Sequence, residues 1–194
     1  MKTVIQRVKS ASVTVDGQLI STIGKGLLVL AAVAKDDTKA EVESMANKIL
    51  KVKLWDDDKG GKWKWNVQDI DGEVLCVSQF TLLASAKRGN KLDFHKSAPA
   101  SQAKELYDNF FAKVQALYKE DRVKNGVFQA MMDVALVNEG PVGVDYCCED
   151  EQVTIEIETN PPKMDNPTSF KPEDGDTFKG KVHKTFELPA SLLE

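Results

Sequence analysis

The run Val74-Leu75-Cys76-Val77 constrains this chain more than any other segment. Four consecutive apolar residues in a strand leave no polar face for solvent, so the predicted strand, Glu73 to Ala84, needs packing partners on both sides. A sheet covered on both faces follows. The chain has 194 residues, 42% hydrophobic and 29% charged, enough to build such a core within one domain and to remain soluble. The buried run passes directly into Ser78 and Gln79. Polar side chains at the end of a buried strand are either hydrogen-bonded structural groups or a site.

The remaining elements can be read around that strand. From Thr3 to Ala34 the chain reads as strands, with Asp16-Gly17 a hairpin turn and Leu27 to Val33 a second apolar run. Thr38-x-x-Glu41 is a capping box that opens a helix carrying Val42, Met45, Ala46, Ile49 and Leu50 on one face. A second helix is predicted from near Pro99, with Ala103, Leu106, Tyr107, Phe110, Val114 and Leu117 facing the core. Strands Met131 to Asn138 and Val153 to Glu158 flank Glu139-Gly140-Pro141-Val142. The predicted fold is a single α/β domain of mixed, barrel-like β-sheets with two main helices over residues 1–159. Residues 160–194 contain Pro161, Pro162, Pro167 and Pro172 and read as a Pro-rich C-terminal tail, partly docked or flexible.

Charge and cysteine usage narrow the function classes. A net charge of −4 argues against bulk electrostatic binding of nucleic acid, so any such contact needs a local patch. Residues 85–125 hold nine basic and five acidic side chains, and that region adjoins the Ser78-Gln79 strand end. Lys62-Trp63-Lys64-Trp65 could stack bases, or form an edge hairpin with a half-buried tryptophan. Three cysteines, two of them adjacent, do not make a disulfide framework and point to the cytoplasm. The longest apolar run, Gly26 to Ala34, is about half a membrane span, and the N-terminus lacks the pattern of an export signal. With two histidines and no Cys-x-x-Cys, no metal site and no cofactor are expected.

No serine elbow, phosphate-binding glycine loop or activated nucleophile is visible. Two segments stand apart: Ser78-Gln79-Phe80-Thr81 at a strand end, and Asn138-Glu139-Gly140-Pro141-Val142 between two strands. Together they resemble the D-aminoacyl-tRNA deacylase family, whose motifs are Ser-Gln-x-Thr and Asn-x-Gly-Pro-Val. Ile5-Gln6-Arg7-Val8, Ala11-Ser12-Val13-Thr14-Val15, Gly24-Lys25-Gly26-Leu27, Asp93-Phe94-His95 and Leu106-Tyr107-Asp108-Asn109-Phe110 agree with it.

The resemblance implies a homodimer that hydrolyses the ester joining a D-amino acid to the terminal adenosine of tRNA, with aminoacylated tRNA as its partner and no membrane. It assigns Ser78, Gln79, Phe80 and Thr81 to catalysis, the backbone N–H groups around Phe80 and Thr81 facing the scissile carbonyl. Gly140 and Pro141, joined by a cis bond and reaching into the other subunit, would refuse an L side chain. Arg7, Phe94 and Met132 would support the site. The 2′-hydroxyl of the tRNA would assist water attack, which accounts for the missing nucleophile. Purely steric refusal would also leave glycyl-tRNA a substrate, since glycine offers no side chain to refuse.

Three positions depart from the family pattern. Gly143 stands where threonine is usual, Gln129 where glycine is usual, and Glu139 where aspartate is common. Two alternatives remain alongside the leading reading: a catalytically weak tRNA-binding protein, and a deacylase with relaxed selectivity for L-aminoacyl-tRNA.

Overall fold

A single long strand, β1 (Lys2–Val15), organises the sheet. Its first half pairs with β3 (Gly26–Ala32) and with β7 (Thr154–Glu158); its second half pairs with β2 (Gln18–Ile23) and with β6 (Asp133–Asn138), all antiparallel. The computed structural model describes residues 1–86, 91–139 and 154–159, and the statements below concern these. The Gly140-Pro141 bond and the segment 160–194 lie outside them.

The main path of the sheet runs β2-β1-β3-β4-β5, with β4 (Glu73–Ser78) parallel to β3 and to β5 (Val123–Asn125). This is the mixed sheet expected. It curls almost closed, because Ser21 of β2 donates its hydroxyl to the Asn125 carbonyl of β5 at 2.6 Å, so the two ends of the path meet. Asp16 and Gly17 form the β1–β2 turn with φ of 49° and 76°, the left-handed pair that a tight hairpin requires.

The double burial of β3 and β4 is visible side chain by side chain. Leu28, Leu75 and Val77 point into the curl with Val8, Ala11, Val13 and Ile23, whereas Leu27, Val29, Val74 and Cys76 face the helices. Each fully buried Leu or Val stabilises the fold by about 1.5–3 kcal/mol before ordering costs. Gly26 allows the two strands to approach: a Cβ there would lie 1.8 Å from the Glu73 carbonyl oxygen, an impossible contact with backbone.

Both helices cover the same side of the sheet. Helix α1 (Lys39–Lys51) starts at Thr38, whose side chain accepts from the Ala40 N–H while Glu41 accepts from the Thr38 N–H, the expected capping box. It buries Val42, Met45, Ala46, Ile49 and Leu50. Helix α2 (Ala100–Leu117) buries Leu106, Tyr107, Phe110 and Val114. Leu117, expected on the core face, is 37% exposed where the helix ends. Trp65 pairs antiparallel with Trp55 in a single bridge outside the sheet and packs on the core, while Trp63 is 38% exposed.

The strand expected to reach Ala84 ends at Ser78. Its parallel partner β3 stops at Ala32, leaving no ladder for Phe80 and beyond, and the chain winds into a 3-10 turn over Phe80–Leu83. The strand expected from Met131 begins at Asp133. No helix among the described residues is long and apolar enough to cross a membrane.

Candidate functional site

The end of β4 is fixed from below by the sheet. Ser78 pairs with Ala31, and the Gln79 N–H donates to the Ala31 carbonyl at 2.8 Å, the last rung before the chain turns. Within the turn, Leu82 N–H donates to the Gln79 carbonyl and Ala84 N–H to the Thr81 carbonyl. The first amides of a helical turn have no acceptor within it. Those amides belong to Phe80 and Thr81.

Side chains extend the arrangement. The Gln79 carboxamide donates to the Thr81 hydroxyl. Phe80 is 58% exposed and leans on Phe94, with ring centroids 5.3 Å apart at 59°. Ser97 reaches the Phe80 carbonyl at 3.4 Å. Ser78, Gln79 and Phe80 line a cavity of about 570 Å³, large enough for a small ligand. Its other walls come from the end of β3, the start of α2 and the segment 128–134.

Tyr107 of α2 backs this cavity. Its hydroxyl donates to the Asn125 side chain at 2.7 Å, and its ring packs against Phe128 at 5.8 Å. Burial holds the phenol well above its ordinary pKa, so it stays protonated as a donor. Met132 lies in the wall with its sulfur accepting from the Val127 N–H at 3.3 Å. Gly126 makes room for it: a Cβ there would stand 2.9 Å from the Met132 sulfur.

The predicted site residues therefore divide. Ser78, Gln79, Phe80 and Met132 meet at one cavity; Thr81 and Phe94 are tied to it through Gln79 and Phe80. Arg7 is buried in β1 and does not line it; its guanidinium donates to the Leu54 carbonyl at 2.6 Å and lies 3.6 Å from the Glu139 carboxylate. Since the Glu139 N–H also donates to the Arg7 carbonyl, Arg7 anchors the residue immediately before Gly140. Gly140 and Pro141 themselves lie outside the described residues.

Nucleophilic chemistry finds little here. Burial pushes the Cys76 thiol up to about 12, so it is inert. His95 is exposed beside Asp93 and takes no part in the cavity wall. Among the described residues, no cluster of three His, Cys, Asp or Glu side chains could hold a metal ion. The arrangement offers backbone donors, an apolar enclosure and a few fixed polar groups, suited to stabilising charge on a bound carbonyl.

Nothing in the sequence marks the Tyr107–Asn125 pair, and of the 126–132 wall only Met132 and Gln129 stand out. Tyr107 has a core position in the helical period, which hid its polar end, and the wall has no period at all.

Comparison with known proteins bears on the same residues. D-aminoacyl-tRNA deacylase from Yarrowia lipolytica is 58% identical over 148 residues, covering 75% of this chain and 96% of that protein. The Schizosaccharomyces pombe protein of that name is 48% identical over 146 residues, covering 75% and 97%. Human D-aminoacyl-tRNA deacylase 1 is 44% identical over 145 residues, covering 75% and 69%. A solved structure titled c-Myc DNA Unwinding Element Binding Protein shares 42% identity and superposes with a TM-score of 0.73 over 81% of this chain and 98% of its own. A second, titled as a probable eukaryotic D-amino acid tRNA deacylase, shares the fold at 16% identity, with a TM-score of 0.64 over 80% of this chain and 98% of its own. Residues 4–146, which include both motifs and every wall of the cavity, match the family described as D-Tyr-tRNA(Tyr) deacylase, and the chain belongs to that family.

Proposed function

We propose that this protein hydrolyses the ester bond of D-aminoacyl-tRNA, releasing the free D-amino acid and tRNA. The observation that carries the reading is the end of β4, where the Phe80 and Thr81 amides are left without an acceptor in their own turn at the edge of a cavity lined by Ser78 and Gln79. Family membership and relatives named for this activity support it.

In the proposed reaction, water attacks the ester carbonyl. The carbonyl oxygen gains negative charge in the tetrahedral intermediate, which the Phe80 and Thr81 N–H groups stabilise. Collapse breaks the bond to the 3′-oxygen of the terminal adenosine, which takes up a proton as the free acid forms. The neighbouring 2′-hydroxyl assists the attacking water, so the protein supplies position and charge stabilisation in place of a nucleophile. Phe94 holds Phe80, Met132 shapes the wall, and Arg7 braces Glu139 ahead of the Gly140-Pro141 pair.

Selectivity in this reading is steric. Gly140 and Pro141, in cis, enter the site of a second copy and collide with an L side chain. The homodimer draws support from β6, which leaves Leu136 and Val137 exposed on the strand that leads to Gly140. Glycyl-tRNA escapes refusal and is a second substrate. The cytosol, where aminoacyl-tRNA is used, is the proposed location.

The test is release of amino acid from D-tyrosyl-tRNA by the purified full chain. Binding without release would instead favour the tRNA-binding alternative.

A further inference from the structure

Gln129 occupies a backbone position that its side chain makes unfavourable. The Ala130 N–H donates to the Val127 carbonyl at 3.2 Å, closing a four-residue turn, and Gln129, third in that turn, has φ of +63°. Turns with positive φ at the third residue favour Gly or Asn, because other side chains crowd the backbone there. A glutamine held at such a position, in the wall of a cavity, directs attention to what its side chain provides.

The polar side chains lining the cavity sort into two groups. Gln79, Ser97 and Tyr107 spend their hydrogen bonds on Thr81, the Phe80 carbonyl and Asn125. Ser78 stands at the end of β4, beside the proposed carbonyl site. The Gln129 carboxamide is exposed and has no partner among the described residues. Around it the wall is apolar and rich in flat or polarisable groups: Phe128, Met131 and Met132. A planar carboxamide beside such surfaces is the combination that reads a purine, the apolar groups taking the ring face and the amide taking the edge, with glutamine matched to adenine N6 and N7.

We propose that Gln129 is a specificity-determining residue that hydrogen-bonds the base edge of the tRNA's terminal adenosine. The inference rests on the proposed deacylase reading for its substrate. With the aminoacyl carbonyl at the Phe80 and Thr81 amides, the other end of the ester carries the nucleoside, and the 128–132 wall is where the cavity offers a nucleobase both a face and an edge contact. The side chain recovers in binding what the left-handed backbone costs in folding.

The experiment measures binding of uncharged tRNA ending in adenosine or in 7-deazaadenosine, which lacks the N7 acceptor, to the full-length protein and to Gln129→Gly and Gln129→Ala. The unmodified protein is expected to bind the 7-deaza tRNA about 5- to 10-fold more weakly, the span of one hydrogen bond. Both variants are expected to lose at least that factor on normal tRNA, since they forgo the N6 contact as well as the N7 one, and to bind the two tRNAs equally. Gln129→Gly, freed of the backbone cost, is expected to melt about 2–4 °C higher than Gln129→Ala. Equal 7-deaza penalties in the unmodified protein and the variants, or no penalty in any, would overturn the inference. Turnover of D-tyrosyl-tRNA by the unmodified protein is read separately. Turnover without base coupling sinks this inference alone, and base coupling without turnover sinks the deacylase reading alone.

Discussion

Two banks of the same cavity are built in opposite ways. The β3–β4 bank is a parallel ladder packed on both faces, with Ala31, Val33 and Val77 no more than 5% exposed. The 126–132 bank has no ladder: it is held by one turn, by the Gly126 N–H on the Cys76 carbonyl and by the Val127 N–H on the Met132 sulfur, with Val127 38% and Met131 89% exposed and Gln129 at positive φ. Backbone amides that must meet a developing charge within a few tenths of an ångström belong on the rigid side. Groups that must fit a ligand's shape belong on the side that can adjust. The difference assigns chemistry to the first bank and recognition to the second.

Disturbing the rigid bank should have the largest effect. Gly26→Ala places a Cβ 1.8 Å from the Glu73 carbonyl oxygen, which neither strand can yield to without breaking the ladder. A loss of about 4 kcal/mol or more in denaturant unfolding, or failure to fold, is expected. A variant of near-normal stability would show that β3 and β4 are looser than the comparison requires.

Tyr107 links the two banks, through Phe128 on one side and, on the other, Asn125 of β5, the strand that pairs with β4. Tyr107→Phe keeps the ring and strands the Asn125 side-chain oxygen. Unfolding free energy should fall by about 1–3 kcal/mol, read from the urea midpoint at constant slope. An unchanged midpoint would mean that the two banks are not joined here.

Thr81→Val sharpens the chemical half of the contrast. With backbone amides doing the stabilising, turnover of D-tyrosyl-tRNA should drop by about 10-fold or less, the worth of one repositioned hydrogen bond. A loss near the roughly 10⁶ typical of a deleted nucleophile would instead move the chemistry to the Thr81 hydroxyl.

Much of the rigid bank was legible and little of the other. Val74 to Val77 announced burial on both faces because strand residues alternate sides, and Asp16-Gly17 and Thr38-x-x-Glu41 marked a turn and a helix start through local chemistry alone. The end of β4 was misplaced because Phe80, Leu82 and Leu83 are as apolar as strand residues. What stops the strand is the end of its partner at Ala32, a non-local fact. Met131 has the apolar character of a strand residue, yet it lines the cavity, 89% exposed, before β6 begins. The conformation of Gln129 is set by a turn that carries no glycine, so no residue type marked it.

The smallest effect expected lies outside the cavity, just before β4 begins. Asp71 is paired with Lys119 at 2.7 Å and Arg122 at 2.8 Å, and the Lys119 hydrogen bond, ahead of the Arg122 charge, holds its carboxyl below the ordinary value. A lowered folded-state value means that the pair's contribution is complete above the ordinary carboxylate range and is lost as pH falls through the folded-state value. Carboxyl carbon shifts in an NMR titration should show Asp71 titrating below a peptide aspartate. Because Asp71 is exposed and does not line the cavity, Asp71→Asn should leave activity intact, and a loss of turnover would extend the functional surface well beyond the cavity.

The central claim is that fixed backbone donors on one bank cleave the ester and that refusal of L side chains is steric. Deacylation of D-tyrosyl-, glycyl- and L-alanyl-tRNA by the full chain, under one set of conditions, tests both parts. The account expects rapid release from the D-tyrosyl ester, release from the glycyl ester within roughly 200-fold of that rate, the ratio that missing apolar contacts allow, and an intact L-alanyl ester. No release from D-tyrosyl-tRNA would contradict the activity, and equal refusal of the glycyl and L-alanyl esters would contradict the steric basis of selection.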